Sequence, residues 1–392
     1  MAHRDRPLAS PAVADVPETL DDLDVRWLSE ALGFEVDYVR SEPLAAGVGV
    51  LSEVSRLHLE GDEAPETVIV KLASLDDEQR RYAATFGLYE REVRFYEQLA
   101  GDLDVRVPQA LHAELSDDGA RFVLVLEEVQ GGRSVDQLEG CSVADAEAVV
   151  DAISSLHGRW WGRGRLDELD WLPGVVDAES TTYIRSATDL VVPFRQHHEL
   201  DDVAQPWLDA LVGGKYEALL ARWASSGSLT LCHHDLRFEN LLFDVGAASL
   251  CLLDWQRVQR NLGVIDLASV LGQHVPTEFR RLHQEALVRR YHDVILDRGA
   301  TDYPFERCWD DFRAAMLRHV ARAPGLAVVD GRNDRGRALL DSMIAAGRGS
   351  IVNLHSVEGM RGYPIEPIYA SMKAAVAQFT TCLAVEQGRN GI

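Results

Sequence analysis

The spacing of hydrophobic and polar positions changes along the chain, and each change marks an element. Residues 20–33 carry the period of a short helix, and 44–59 read as strand, turn and strand around Gly47 and Gly49. Thr67 to Ala73 is a β-branched apolar run of the kind a buried strand shows, and 82–100 returns to a helical period. FVLVLEEV at 122–129 is a further buried strand, closed by Gly131 and Gly132. Beyond it the pattern is mostly helical. Ser142 and Asp145 make a capping box ahead of Val149, Val150, Ile153, Leu156 and Trp160, which share one helix face. A strand-loop-strand stretch at 229–254 interrupts the helices. The pattern predicts an α+β chain: residues 1–129 form a small, strand-rich N-terminal lobe with a mobile lead-in over 1–19, and 130–392 form a larger helical lobe.

The interrupting stretch carries the candidate chemistry. Its loop has the form H-x-D-x-x-x-x-N, with His233, Asp235 and Asn240, and the apolar run after it delivers Asp254 at its end. Phosphoryl transfer uses such a set. A carboxylate and an amide oxygen hold divalent metal against the phosphates, and a second carboxylate accepts the proton of the attacking hydroxyl. Asn240 and Asp254 are the expected metal ligands and Asp235 the expected base. Asn supplies a hard oxygen without adding another negative charge. Asp and Asn in loops more often make turns, but three in this spacing, between strands, favour the metal-and-base assignment.

A nucleotide-binding lobe also needs a strand lysine and a helix glutamate to hold it. VIVK places Lys71 at the end of a strand. On a helix advancing about 100° per residue, Phe86, Leu88, Tyr89, Val93, Phe95, Tyr96 and Leu99 fill one half of the wheel, and Glu92 falls among them while Glu90 and Glu97 do not. A carboxylate on a packing face is costly unless paired, which predicts a Lys71–Glu92 ion pair.

Composition sharpens this. Of 39 basic residues only Lys71, Lys215 and Lys373 are lysine, so Lys71 stands out in an arginine-rich chain, whereas Lys215 and Lys373 match no motif. The 63 acidic residues leave a net charge of −24, the wrong sign for a protein that works on nucleic acid or anionic membrane. No apolar run has the length of a membrane span and the start has no signal-peptide pattern, so the expected compartment is the cytoplasm. Five scattered cysteines suggest neither a disulfide framework nor a zinc site. Trp160, Trp161, Trp171 and Tyr183 are read as core before acceptor pocket, His157 as a core histidine, and the pairs His197–His198 and His233–His234 as unsuited to one ion.

VIVK with Lys71, EREVRFYEQL with Glu92, CHHDLRFEN with Asp235 and Asn240, and LLDWQ with Asp254 resemble the aminoglycoside phosphotransferase and choline kinase superfamily, most closely its ecdysteroid-kinase-like branch. The resemblance runs from about residue 40 to the C-terminus. It implies a bilobal protein-kinase-like fold, with a small antiparallel-sheet lobe and a larger mainly helical lobe, and it implies ATP and Mg²⁺ as cofactors with a small-molecule hydroxyl as acceptor. By that likeness Lys71 holds the α- and β-phosphates and Glu92 holds Lys71. Backbone groups of Glu127, Glu128 and Val129 meet the adenine, Gly47 and Gly49 cover the phosphates, and His233 and Asp266 support the catalytic loop. Three features depart from the family. His234 stands where the family has Gly, Ser52 where protein kinases carry a third glycine, and DWQ replaces DFG with no APE-like segment after it, which disfavours protein substrates. The alternatives are a nucleotide-binding pseudokinase acting as a regulatory module and an unrelated helical binding protein.

Overall fold

The computed structural model describes residues 16–44, 51–135, 141–197, 209, 212–246, 248–273, 275 and 277–316. Helix α1 (Val25–Leu32) starts at Asp24, whose carboxylate accepts the Trp27 N–H at 2.8 Å, and ends at Gly33, where φ reaches +74°. The expected strand-turn-strand is β1 (Tyr38–Pro43) and β2 (Ser52–Glu60). Gly47, Gly49 and the lead-in through residue 15 lie outside the described residues. β3 (Thr67–Ala73), β4 (Ala110–Leu115) and β5 (Phe122–Glu127) complete a five-stranded antiparallel sheet in the order β1-β2-β3-β5-β4.

Alternation along the strands sorts the sheet into two faces. Leu57, Leu59, Val68, Val70, Leu72, Val123 and Val125 take one face and form a core with Trp27, Leu28 and Leu32 of α1. The register pairs Val54 with Lys71, Lys71 with Leu124, and Arg56 with Ile69, so these residues share the other face. Lys71 is thereby turned away from the apolar core that holds its strand.

Residues 82–100 form parts of two helices rather than one. α2 (Asp77–Thr85), capped by Asp76, gives way at Phe86, and Gly87 at φ +65° turns the chain into α3 (Leu88–Gln98). A helix requires φ near −63°, so the left-handed glycine interrupts the shared period. The apolar arc survives on α3, where Leu88, Tyr89, Val93, Phe95 and Tyr96 are buried with Glu92 among them.

α4 (Val143–Trp160) has its capping box: the Ser142 hydroxyl accepts the Asp145 N–H at 3.0 Å and the Asp145 carboxylate accepts the Ser142 N–H at 3.1 Å. After it, β6 (Leu229–Cys232) leads into the polar loop, and β7 (Leu241–Val245) and β8 (Ala248–Leu252) form a hairpin.

The chain divides into two compact units. One comprises Met1–Pro173, Thr230–Arg260 and Val294–Ala300, and holds the five-stranded sheet, α4 and the loop of the 229–254 stretch. The other comprises Gly174–Leu229, Asn261–Asp293 and Thr301–Ile392. It contains α5 (Ala178–His197), α6 (Lys215–Ala224), α7 (Val264–Gln273), most of α8 (Thr277–Asp297) and α9 (Phe305–Ala315), with α7 packed on α9 and Trp223, Tyr291 and Phe312 buried. No helix among the described residues is long and apolar enough to cross a membrane.

Candidate active site

Lys71 and Glu92 meet as their periods predict. The Lys71 ammonium donates to both Glu92 carboxylate oxygens at 2.6 and 2.7 Å, and Glu92 is 1% exposed. The ammonium has a third partner that the sequence did not reveal, Oδ1 of Asp254 at 3.1 Å. Burial alone would pull the Lys71 pKa down, but Asp254 and Glu92 outweigh it and hold the ammonium above its ordinary value. Burial likewise pushes the Asp254 carboxyl up, and the Lys71 charge more than offsets this, leaving it below the usual value. Glu92 stays above the usual value because its own burial and the nearby Asp254 outweigh the pull of Lys71. The three groups carry one negative charge in excess.

The loop after β6 is set by backbone hydrogen bonds. His233 is fully buried; its Nε2 lies 2.8 Å from the Leu253 carbonyl and its Nδ1 accepts the Asp235 N–H at 3.3 Å, which assigns the ring proton to Nε2. His234 takes φ +66°, the left-handed conformation a glycine would adopt freely, and histidine is among the side chains that tolerate it. Asn240 Nδ2 donates to the Asp235 carbonyl at 2.8 Å, which fixes the amide plane and so the direction of its oxygen. The hairpin pairs Leu241 with Leu252, and its next rung joins the Asn240 carbonyl to the Leu253 N–H at 2.9 Å. Asp254 leaves that rung at φ +63°, with Gln256 Nε2 3.3 Å from its Oδ2. The Asp235 carboxylate has Arg237 at 3.6 Å.

Trp255, marked only as part of the LLDWQ ending, joins the two halves of the site. It is fully buried, stacks on Phe95 of α3 with centroids 4.0 Å apart, and packs against His233 at 4.6 Å. Its backbone N–H also donates to the Glu92 carboxylate.

The other expected residues are distributed as follows. Glu127 ends β5, where its N–H donates to the Gln109 carbonyl at 2.9 Å and its carboxylate takes the Gln109 N–H and Arg106. Glu128 is held by Arg56, and Val129 follows it. Asp266 is fully buried in the first turn of α7, in the second unit. Trp160 and His157 are buried on α4, in keeping with a core role, and Trp171 donates to Gln98 at 3.0 Å. The side chains of Tyr183 and His197, and the whole of His198, lie outside the described residues.

Comparison with known proteins fixes the class. The model of the phosphotransferase enzyme family matches residues 48–309, two thirds of the chain. The chain belongs to this family, and the class its members define is the small-molecule kinase. Among solved structures, a mutant of aminoglycoside 2'-phosphotransferase-IIIa in its GDP complex is 14% identical, with 82% of this chain and 95% of that chain covered and a TM-score of 0.51. A Ralstonia eutropha protein described as an aminoglycoside phosphotransferase is 16% identical, with 91% and 97% covered and a TM-score of 0.50. These likenesses give the same α+β protein-kinase-like fold. No curated protein matches the chain. The family match stops at residue 309, short of the C-terminus to which the sequence resemblance was extended, and a second model, that of the short chain dehydrogenases, matches residues 335–392. Lys373, which fits no kinase motif, falls inside that second segment, outside the described residues.

Proposed function

We propose that this chain transfers the γ-phosphoryl group of ATP to a hydroxyl group of a small molecule, in the presence of Mg²⁺. The observation that carries this reading is the Lys71–Glu92–Asp254 cluster, joined through one hairpin rung to the loop that bears Asp235 and Asn240. Glu92 fixes Lys71 where its ammonium can hold the α- and β-phosphates. Asp235 accepts the proton of the acceptor hydroxyl as its oxygen bonds to the γ-phosphorus and the bond to the ADP oxygen breaks.

The residues present suit a hard divalent cation. Asp254 and Asn240 offer oxygen donors, and Lys71 alone ion-pairs with two carboxylates, Glu92 and Asp254. Bound there, Mg²⁺ would neutralise charge on the phosphates. His233 and Asp266 are assigned to support of the loop. The backbone groups of Glu127, Glu128 and Val129 are assigned to the adenine, with Glu127 limited to its carbonyl because its N–H is bonded to Gln109. Gly47 and Gly49 are assigned to the phosphate cover, the N-terminal lobe to residues 1–129 and the acceptor-binding lobe to 130–392, and the working compartment is taken to be the cytoplasm.

The test is a radiolabel transfer screen of hydroxylated metabolites and antibiotics with ATP and Mg²⁺, run beside Asp235→Asn. We expect transfer by the wild type, a loss of about 10²- to 10⁴-fold in the variant, and ATP binding retained by both. Wild-type turnover by the variant on a confirmed acceptor would remove Asp235 as the base. A melting temperature unmoved by ATP with Mg²⁺ would remove the nucleotide site itself.

A further inference from the structure

Arg56 is a charged group on the sheet face that carries Lys71, and nothing in the reading above uses it. Its place follows from register. Arg56 pairs with Ile69 on β3 and Ile69 pairs with Leu126 on β5, so Arg56, Ile69 and Leu126 form a row across one face, and Glu128 lies two residues beyond Leu126, past that row on the side of His58 and Thr67. Lys71 and its partners Val54 and Leu124 form the parallel row two residues away, about 7 Å along the strands. The Arg56 row is the one nearer the end of β5, where the chain leaves the sheet through Glu128 and Val129.

The guanidinium is fixed in that row. Its Nε donates to Glu128 at 2.9 and 3.0 Å, one terminal nitrogen donates to Glu128 at 2.6 Å, and the other donates to Glu42 of β1 at 3.1 Å. His58 closes the chain of contacts, with Nε2 2.9 Å from the second Glu42 oxygen. The side chains of Arg56 and Glu128 keep 26% and 15% of their surface exposed, so the pair is half-sheltered and still reachable. A guanidinium held at both edges by carboxylates presents a rigid plane and loses little freedom on contact with a flat partner.

We propose that Arg56, braced by Glu128 and Glu42, is the residue that sets how the base of the nucleotide is held. This rests on the kinase reading, in which Lys71 takes the phosphates. The base then extends along the same face toward the end of β5, which is where the braced guanidinium lies. Glu128 acts as a positioning residue in this scheme, because it fixes both the Arg56 plane and its own backbone beside the base.

The test compares a ligand with a base to one without. Calorimetric titration of the full chain with Mg²⁺-ATP and with Mg²⁺-tripolyphosphate, for wild type, Arg56→Ala, Arg56→Lys and Glu128→Gln, separates the two contributions. Arg56→Ala should weaken ATP by about tenfold or more and leave tripolyphosphate within about twofold. Arg56→Lys, which keeps the charge and loses the plane, should recover little of this, and Glu128→Gln should fall between. Equal losses on both ligands would show a merely structural role, and unchanged ATP binding in Arg56→Ala would show none; either overturns the proposal. Failure of the wild type to bind ATP while it is folded would instead overturn the kinase reading on which the proposal stands.

Discussion

Lys71 and Glu92 reach each other from inside a strand and a helix, Lys71 standing two residues before the end of β3 rather than at its end as VIVK suggests, whereas His233, Asp235, Asn240 and Asp254 are set by irregular backbone between short strands. The first half inherits its geometry from two regular periods: alternation turns Lys71 away from the α1 core, and the helical arc turns Glu92 inward. The second half has no period to inherit. His234 and Asp254 sit at positive φ, and the loop is held by the contacts of His233, Asn240 and Trp255. Regular elements therefore fix the charge pair, and a hydrogen-bonded, aromatic-packed loop fixes the positions of Asp235 and Asn240.

The sharpest way to break this contrast is Glu92→Ala. It leaves a buried ammonium with Asp254 alone and should cost about 3–5 kcal/mol in denaturant unfolding, as loss of one partner of a buried pair does. A cost near that of a surface pair would mean that Asp254 alone satisfies Lys71. Next in size is Trp255→Phe. It keeps a ring to stack on Phe95 but loses the indole contact to the Leu252 carbonyl and part of the packing, which should cost about 1–2 kcal/mol. If Trp255 ties α3 to the loop, turnover should fall by more than this loss of stability accounts for. The smallest effect concerns His234→Gly. Releasing a side chain from the left-handed region should stabilise the fold by about 1 kcal/mol, read as a raised melting temperature, with Asp235 left in place. A destabilised variant would show that the His234 side chain has a role of its own.

What the sequence disclosed follows the same division. The Ser142–Asp145 capping box, the strand of Lys71 and the inward Glu92 were legible because each is a matter of period or of residues a few positions apart. The break at Gly87 was not, because the helical spacing runs on across it and only the backbone reverses. The contact of Lys71 with Asp254 joins residues 183 apart, and the stack of Phe95 on Trp255 joins two segments with no common pattern. Arg56 is illegible for a related reason: a lone arginine in a strand is unremarkable until the fold brings it against Glu128, 72 residues away.

The position of β1 gives its polar residues a second meaning. Among the described residues β1 is an outer strand of the five-stranded sheet, paired on one side only, and such a side invites another chain to add a strand. Along that border the chain places Arg40, Glu42 and Pro43. Proline withholds an N–H and the charged side chains resist desolvation, so an incoming strand would meet a poor template. Glu42, already tethered to Arg56 and His58, cannot easily swing aside to admit one. The contacts that brace Arg56 on the face of Lys71 thus also hold the border of the sheet against an added strand.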